Sequence, residues 1–174
     1  MLKFCRTKFV GYEKKDNNLR IYGTLDDTIY SMQIDINVKL PELEVDFISG
    51  KMRRVTTPFC NEAQQFLQQA IGLKVEPGFQ SKVKRLIGRP GCRHYGNLIN
   101  ECLESIIPGL VTIKYKEMLD INSDITIIDA IEELMQVYPQ IKDFSISKYE
   151  TGAGWFFECK ICKEEKCVGY YSGE

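Results

Sequence analysis

Tyr30-Ser31-Met32-Gln33-Ile34-Asp35-Ile36-Asn37-Val38 is the stretch that decides the fold. Tyr30, Met32, Ile34, Ile36 and Val38 alternate with Ser31, Gln33, Asp35 and Asn37. A period of two belongs to a strand with one dry face and one wet face. After Leu40, Pro41 and Glu42, the residues Leu43, Val45 and Phe47 alternate again. Upstream, a turn is expected over residues 23–27. Residues 4–12 and 19–22 supply one or two further strands, separated by the turn chemistry of Asp16, Asn17 and Asn18. One packed face and one solvated face describe an antiparallel meander.

The period changes after residue 56. Thr57 caps a helix and Pro58 takes its first position. This helix is expected to run to about Ala70 and end at Gly72. Pro77 and Gly78 open a second helix that ends at Gly88. Pro90 opens a third, with Tyr95, Leu98, Ile99, Cys102, Leu103 and Ile106 on one face, and Pro108 and Gly109 stop it. Residues 112–119 fit a strand or a helix. Thr126 and Asp129 form a capping-box-like start. An apolar stripe of Ile127, Ile128, Ile131, Leu134, Met135 and Tyr138 follows, up to Pro139. Phe144, Ile146 and Lys148 then alternate with polar residues as a strand, and a turn at 151–154 leads into residues 155–158. The pattern predicts an α+β fold: an N-terminal antiparallel β-meander packed by three to four helices, followed by a small C-terminal β element of zinc-knuckle type. Residues 1–110 form the α+β core domain. Residues 111–174 form a helix plus a C-terminal cysteine-knuckle hairpin packed on that core.

Composition narrows the function classes. Of 174 residues, 44% are hydrophobic and 27% charged, which is ordinary for a globular protein. The net charge of −1 gives no globally basic surface, so nucleic acid is not an expected partner. Two local basic runs stand out: Lys51, Arg53 and Arg54, then Lys82, Lys84, Arg85, Arg89 and Arg93. They read as solvated faces, or as one positive patch for an anionic ligand or an acidic partner. No apolar stretch approaches the roughly 18 residues of a membrane span, and the N-terminus lacks the apolar run of a secretory signal. The expectation is a cytoplasmic protein with no membrane partner. No phosphate loop and no G-x-G-x-x-G after a strand is present, which disfavours a nucleotide enzyme. The 24 acidic residues offer no pattern that selects a catalytic pair.

Seven cysteines concentrate the chemistry. In a reducing compartment they divide among core thiols, metal ligands and reactive thiols. Cys159, Cys162 and Cys167 lie between two strand-like runs, and a C-x-x-C turn leaving a strand brings two thiolates to one metal. A structural zinc needs a fourth ligand, for which Cys5, water or a partner chain are candidates. The bland alternative is a set of reduced surface thiols. Redox C-x-x-C chemistry is disfavoured because that motif usually opens a helix. Cys60 and Cys92 form a second group, each expected in the first turn of a helix, where the partial positive charge favours thiolate. His94 is the only histidine. At i and i+2, Cys92 and His94 cannot share a regular helix face, but they can converge where the chain enters the helix near Gly91. Arg89 and Arg93 flank them. The bland reading makes Cys60 and Cys92 small buried residues and His94 an ordinary surface histidine. Cys102, on the apolar stripe, reads as core.

Three elements carry a resemblance: Pro58-Phe59-Cys60-Asn61; Ile71-Gly72-Leu73-Lys74-Val75-Glu76-Pro77-Gly78-Phe79; and Gly91-Cys92-Arg93-His94 with Leu98. Over about residues 5–107 the chain resembles a bacterial domain-of-unknown-function family, number two-eight-eight-nine, with Tyr95 where a leucine is usual. That family implies no assigned activity, and the C-terminal third lies outside the likeness. A weaker, fold-level resemblance is to NifU/SufU-type iron–sulfur scaffold proteins. It implies that Cys60 and Cys92 match two of three ligand positions, with Asp26 and Asp27 in the turn that would carry the first. Asp26 or Asp27 with Cys60 and Cys92, and His94 nearby, would suit zinc or a single iron.

The leading expectation is a metal-binding accessory protein. Zinc, or alternatively iron or an iron–sulfur cluster, would be bound or handed on during metallocofactor maturation, with a protein partner. The alternative is a non-catalytic subunit of a larger bacterial enzyme complex. It would hold a structural zinc and expose an apolar patch near Trp155, Phe156, Tyr170 and Tyr171. The second alternative is a thiol enzyme with Cys92 as nucleophile and His94 as base, a pairing that adjacent spacing makes awkward.

Overall fold

Strand β2 (Asn18–Asp27) shows how the sheet is organised. Leu19, Ile21, Gly23, Leu25 and Asp27 point inward and are buried, while Asn18, Arg20 and Asp26 are exposed. The computed structural model describes residues 3–138 and the later strands 145–151, 154–158 and 168–171. It divides into two units, Met1–Val75 with Phe79–Ile106, and Glu76–Gly78 with Ile107–Glu174.

The first unit is built on a four-stranded antiparallel meander in the order β1-β2-β3-β4, with β1 at Arg6–Lys15, β3 at Ser31–Lys39 and β4 at Glu44–Arg54. A two-residue turn at Asp16 and Asn17 joins β1 to β2, with Asp16 at φ 52°. The turn expected over residues 23–27 does not form, because β2 runs through it to Asp27. Gly23 is there for packing instead. A Cβ on it would come within 2.5 Å of Cys102 Sγ and 2.9 Å of Ile34 Cγ1. The alternation of Leu43, Val45 and Phe47 also breaks. Val38 pairs with Val45 but Asn37 pairs with Phe47, so Asp46 is an extra residue in β4. Such a bulge turns the following side chains over. Phe47 is 49% exposed, and Ile48 takes its place in the core.

Helical segments cover the buried face. The helix expected from Pro58 to Ala70 is α-helical only at α1 (Phe59–Glu62), and Ala63–Ala70 tighten to 3-10 geometry. Ala63, Leu67 and Ala70 are buried. Leu67 and Tyr95 both fit over Gly50, where a Cβ would approach them to 2.6 and 2.9 Å. Gly72, at φ 82°, ends the segment in a conformation that favours glycine. Next come α2 (Phe79–Val83), a wider π-helical turn (Lys84–Gly88) and α3 (Arg93–Glu104). The apolar face of α3 buries Tyr95, Leu98, Ile99, Cys102 and Leu103. Burial pushes the Cys102 thiol up to about 12, as a core cysteine requires.

Pro108 and Gly109 do not stop a helix. Helix α3 ends at Glu104, and both residues sit in the first turn of α4 (Ile106–Leu119). A proline is tolerated there because the first turn's N–H groups have no intrahelical acceptor. Residues 112–119 are therefore helix. In the second unit, α5 (Ile127–Val137) begins with a full capping box. Thr126 Oγ1 accepts the Asp129 N–H at 3.4 Å, and Asp129 Oδ2 accepts the Thr126 N–H at 2.7 Å. Lys114 and Glu133 join α4 to α5 at 2.5 Å. Strands β5 (Ser145–Thr151), β6 (Gly154–Glu158) and β7 (Val168–Tyr171) form a three-stranded antiparallel sheet. Cys159, Cys162 and Cys167 lie outside the described residues, as do the side chains of Trp155, Phe156, Tyr170 and Tyr171. No helix among the described residues is long and apolar enough to cross a membrane.

Candidate functional site

The inward row of β2 ends on a carboxylate. The period that buries Leu25 also buries Asp27, whose side chain has no exposed surface. Four donors meet it. Asp27 Oδ1 accepts the backbone N–H groups of Ile29 at 2.7 Å and Tyr30 at 2.6 Å. Oδ2 accepts Arg6 Nε at 2.8 Å and Nη2 at 2.6 Å. The Tyr30 amide bond and the Arg6 guanidinium hold this carboxyl down at about 2, against the cost of burial. Two carboxylate oxygens accept about four hydrogen bonds, so Asp27 has no lone pair left for a metal. Its work is to fix the turn from β2 into β3. Asp26 points the other way, exposed, with Arg54 Nη1 at 3.2 Å from its Oδ1.

That turn places Tyr30, whose ring lies 4.1 Å from the His94 ring between centroids, tilted by 39°. His94 stands on the first turn of α3, and its Nδ1 is 3.9 Å from Cys92 Sγ. Burial and the nearby Arg6 push the His94 imidazole below its ordinary value, with Asp27 opposing and Arg93 adding to the effect. The neutral ring is therefore the form present near neutral pH, and neutral imidazole is the metal-binding form.

Cys92 is not in the first helical turn but one step earlier. It is the N-cap of α3, with extended backbone at φ −133°, ψ 120°, and its side chain makes no capping hydrogen bond. The reason lies upstream. The N–H groups of Gly91 and Cys92 both donate to the Ile87 carbonyl, at 3.0 and 3.1 Å, so the chain finishes the π turn before α3 can start. Gly91 is required at this joint, since a Cβ would come within 2.7 Å of Phe66 Cδ2 and 3.0 Å of the Ile87 oxygen. The extended N-cap lets residues 92 and 94 meet, which a helical backbone at Cys92 would prevent.

Cys60 joins the cluster from the other side. Its Sγ lies 3.5 Å from Thr57 Oγ1 and 3.9 Å from Thr56 Oγ1, and Thr56 Oγ1 is 3.2 Å from the Tyr30 hydroxyl. The Thr57 hydroxyl, chiefly, holds the Cys60 thiol below its ordinary value, with Thr56 contributing. The backbone N–H groups of Thr57 and Thr56, just ahead of the single-turn α1, add to the hydroxyls in favouring thiolate. Sequence reasoning does not single out Arg6, Tyr30, Thr56 or Thr57 as site residues. Thr56-Thr57 before Pro58 is the legible signal, and Tyr30 is concealed as one more member of an alternating strand.

Cys92, His94, Tyr30, Thr56 and Cys60 thus form a connected chain of contacts in the first unit, with Asp27 and Arg6 beneath it. Cys5 is exposed, near Thr28, whose Oγ1 accepts the Cys5 N–H at 3.2 Å. Among the described residues, no group of three or more His, Cys, Asp or Glu side chains is close enough to hold a metal. The three-point set of Asp26 or Asp27 with Cys60 and Cys92 is not gathered into one ligand shell.

A family model described as a protein of unknown function, DUF2889, matches residues 6–107, and the chain belongs to this family. The match spans β1 through α3 and so contains every member of the cluster. No curated protein and no solved structure matched the chain.

Proposed function

We propose that this protein is a metal-handling accessory protein whose thiolate–imidazole donor pair is Cys92 and His94. The observation that carries the reading is the 3.9 Å between Cys92 Sγ and His94 Nδ1. Zinc bonds of ~2.3 Å to sulfur and ~2.0 Å to nitrogen, at a tetrahedral angle, separate the two donors by about 3.5 Å. A shift of a few tenths of an ångström would let both bind one ion. Two protein donors leave coordination positions open, which suits an ion that is received and passed on better than one held permanently. A partner protein would supply the remaining ligands, and Cys60, already biased towards thiolate, is the nearest further thiol along the contact chain. Zinc and iron both accept this donor set. Cys159, Cys162 and Cys167 would hold a separate, structural zinc.

Titration with cobalt(II) under anaerobic conditions tests the pair, because thiolate ligation gives charge-transfer absorption and tetrahedral geometry gives strong visible bands. Cys92→Ala should remove part of the charge-transfer intensity, and His94→Gln should shift the visible bands. Identical spectra for wild type and both variants would refute the proposal.

The same contact favours a second reading, a thiol nucleophile with an imidazole base. The spacing makes that geometry awkward for a helical Cys92, and the extended N-cap removes the difficulty. Under that reading His94→Gln slows alkylation of Cys92 near neutral pH. An unchanged rate excludes it.

A further inference from the structure

The π-helical turn and α3 enclose a groove of about 600 Å³ lined by Lys84, Gly88, Arg89, Arg93, Gly96, Asn97 and Asn100. Its two walls have regular origins. On α3, Arg93, Gly96, Asn97 and Asn100 stand at i, i+3, i+4 and i+7, which is one stripe of a helix. On the other wall the Arg89 N–H donates to the Lys84 carbonyl at 2.9 Å, so the wide turn sets residues 84 and 89 one above the other. π turns of this kind are frequent at functional sites. The walls come close because both are glycine where they touch. A Cβ on Gly96 would stand 3.0 Å from Gly88 Cα.

Three cations line this groove and no acidic side chain does. The Lys84, Arg89 and Arg93 side chains make no ion pair among the described residues. Three of the four arginines along the sheet behave differently: Arg6, Arg20 and Arg54 each hold a carboxylate. Unpaired cations converging on a concave surface, with two amides beside them, make a site for an anion of more than one charge. The volume falls within the range typical of small-molecule sites, about 300–1,000 Å³.

We infer that this groove binds a small molecule through a phosphate or diphosphate group. A carboxylate offers two oxygens in a plane and is filled by one guanidinium fork. A phosphate offers three oxygens in different directions and can take two forks and an ammonium together. Asn97 and Asn100 supply neutral hydrogen bonds for the rest of the ligand. The groove is distinct from the thiol–imidazole pair, and this inference does not depend on metal binding.

Calorimetric titration of the full chain with inorganic pyrophosphate, at fixed ionic strength, tests it. Saturable binding is expected, and Arg89→Gln/Arg93→Gln should weaken it by about tenfold or more. Asn97→Glu, which places a negative charge in the groove, should weaken it as well. Lys51→Gln/Arg53→Gln, in the other basic run, should leave the affinity within about twofold. Citrate should bind more weakly than pyrophosphate. Cys60→Ala/Cys92→Ala should bind pyrophosphate as wild type does. The proposal is overturned by the absence of saturable binding, by an unchanged affinity in the arginine double variant, or by citrate binding as tightly. Loss of binding in the cysteine double variant would also overturn it, by moving the anion to the thiol site.

Discussion

Asp27 and the Cys92–His94 pair belong to one cluster, but they have opposite hydrogen-bond arrangements. Asp27 is enclosed and meets four donors, all at 2.6–2.8 Å. Cys92 and His94 are half-buried and share one long contact and one ring neighbour. A carboxylate with every lone pair used is scaffold, since any new ligand must first displace a satisfied donor. A thiol and an imidazole whose donor atoms are left open are available for chemistry. Residue type alone ranks the two the same way, as candidate ligands. Saturation separates them, and the contrast can be pressed by mutation.

The largest effect is expected at the saturated end. Asp27→Ala leaves a guanidinium and two amide N–H groups without their acceptor. It should lower the urea midpoint further than Gly91→Ala or either cysteine-to-alanine change. The sign of the pH dependence follows. Asp27 titrates at about 2 in the folded chain against an ordinary 3.8, so its contribution is complete above 3.8 and is lost as pH falls through about 2. Asp27→Asn should lack this acid-limb loss, measured as urea midpoints between neutral pH and pH about 2. Gly91→Ala comes next. The new Cβ must displace the Phe66 ring, an overpacking cost of about 1–3 kcal/mol. The same change should disturb the Cys92–His94 geometry and weaken cobalt binding beyond what stability alone explains.

At the open end, Cys60→Ala and Cys92→Ala should each change stability by no more than about 0.5–1 kcal/mol in the same denaturation measurement. A cost as large as that of Asp27→Ala would make these cysteines structural and erase the contrast. The finest distinction is among the thiols themselves. Iodoacetamide at pH near 8 should label Cys60 in the native protein and leave Cys102 untouched, because the first is held low by Thr57 and the second is buried and held high. Mass spectrometry after limited labelling reads this directly.

Much of the sheet was legible because alternation is a local signal. Ile34, Ile36 and Val38 stand on the buried face that their spacing implies, and the capping box at Thr126 and Asp129 forms as its residue types demand. In each failure a residue had one obvious local meaning that its actual setting overrode. Gly23 with Asp26 and Asp27 looks like a turn, but Gly23 is small to admit Cys102, which lies far along the chain. Phe47 looks inward-facing until the bulge at Asp46 turns it out, and bulges leave little trace in a hydrophobic pattern. Pro108 looks like a stop, though it serves equally well in a first turn.

The cluster was half legible. Cys60, Cys92 and His94 are conspicuous as residue types, and Gly91 marks the joint at which they meet. The role of Asp27 could have been read by extending the row of Leu19, Ile21 and Leu25 by one more inward position. Tyr30 and Arg6 could not, because their contacts bring together strands and a helix that lie far apart in sequence. The pairing of the basic groove was also invisible. Only the π turn and the glycine contact at Gly88 and Gly96 show that Lys84 and Arg89 face Arg93 and Asn97.

The most direct test of the central claim is metal analysis of protein purified without oxygen, comparing wild type with Cys92→Ala/His94→Gln under identical metal supply. The expected result is bound zinc or iron in wild type that falls in the double variant, with any metal held by Cys159, Cys162 and Cys167 unchanged. Equal metal content in the two proteins, or none in either, would contradict the assignment of the thiol–imidazole pair as a metal site.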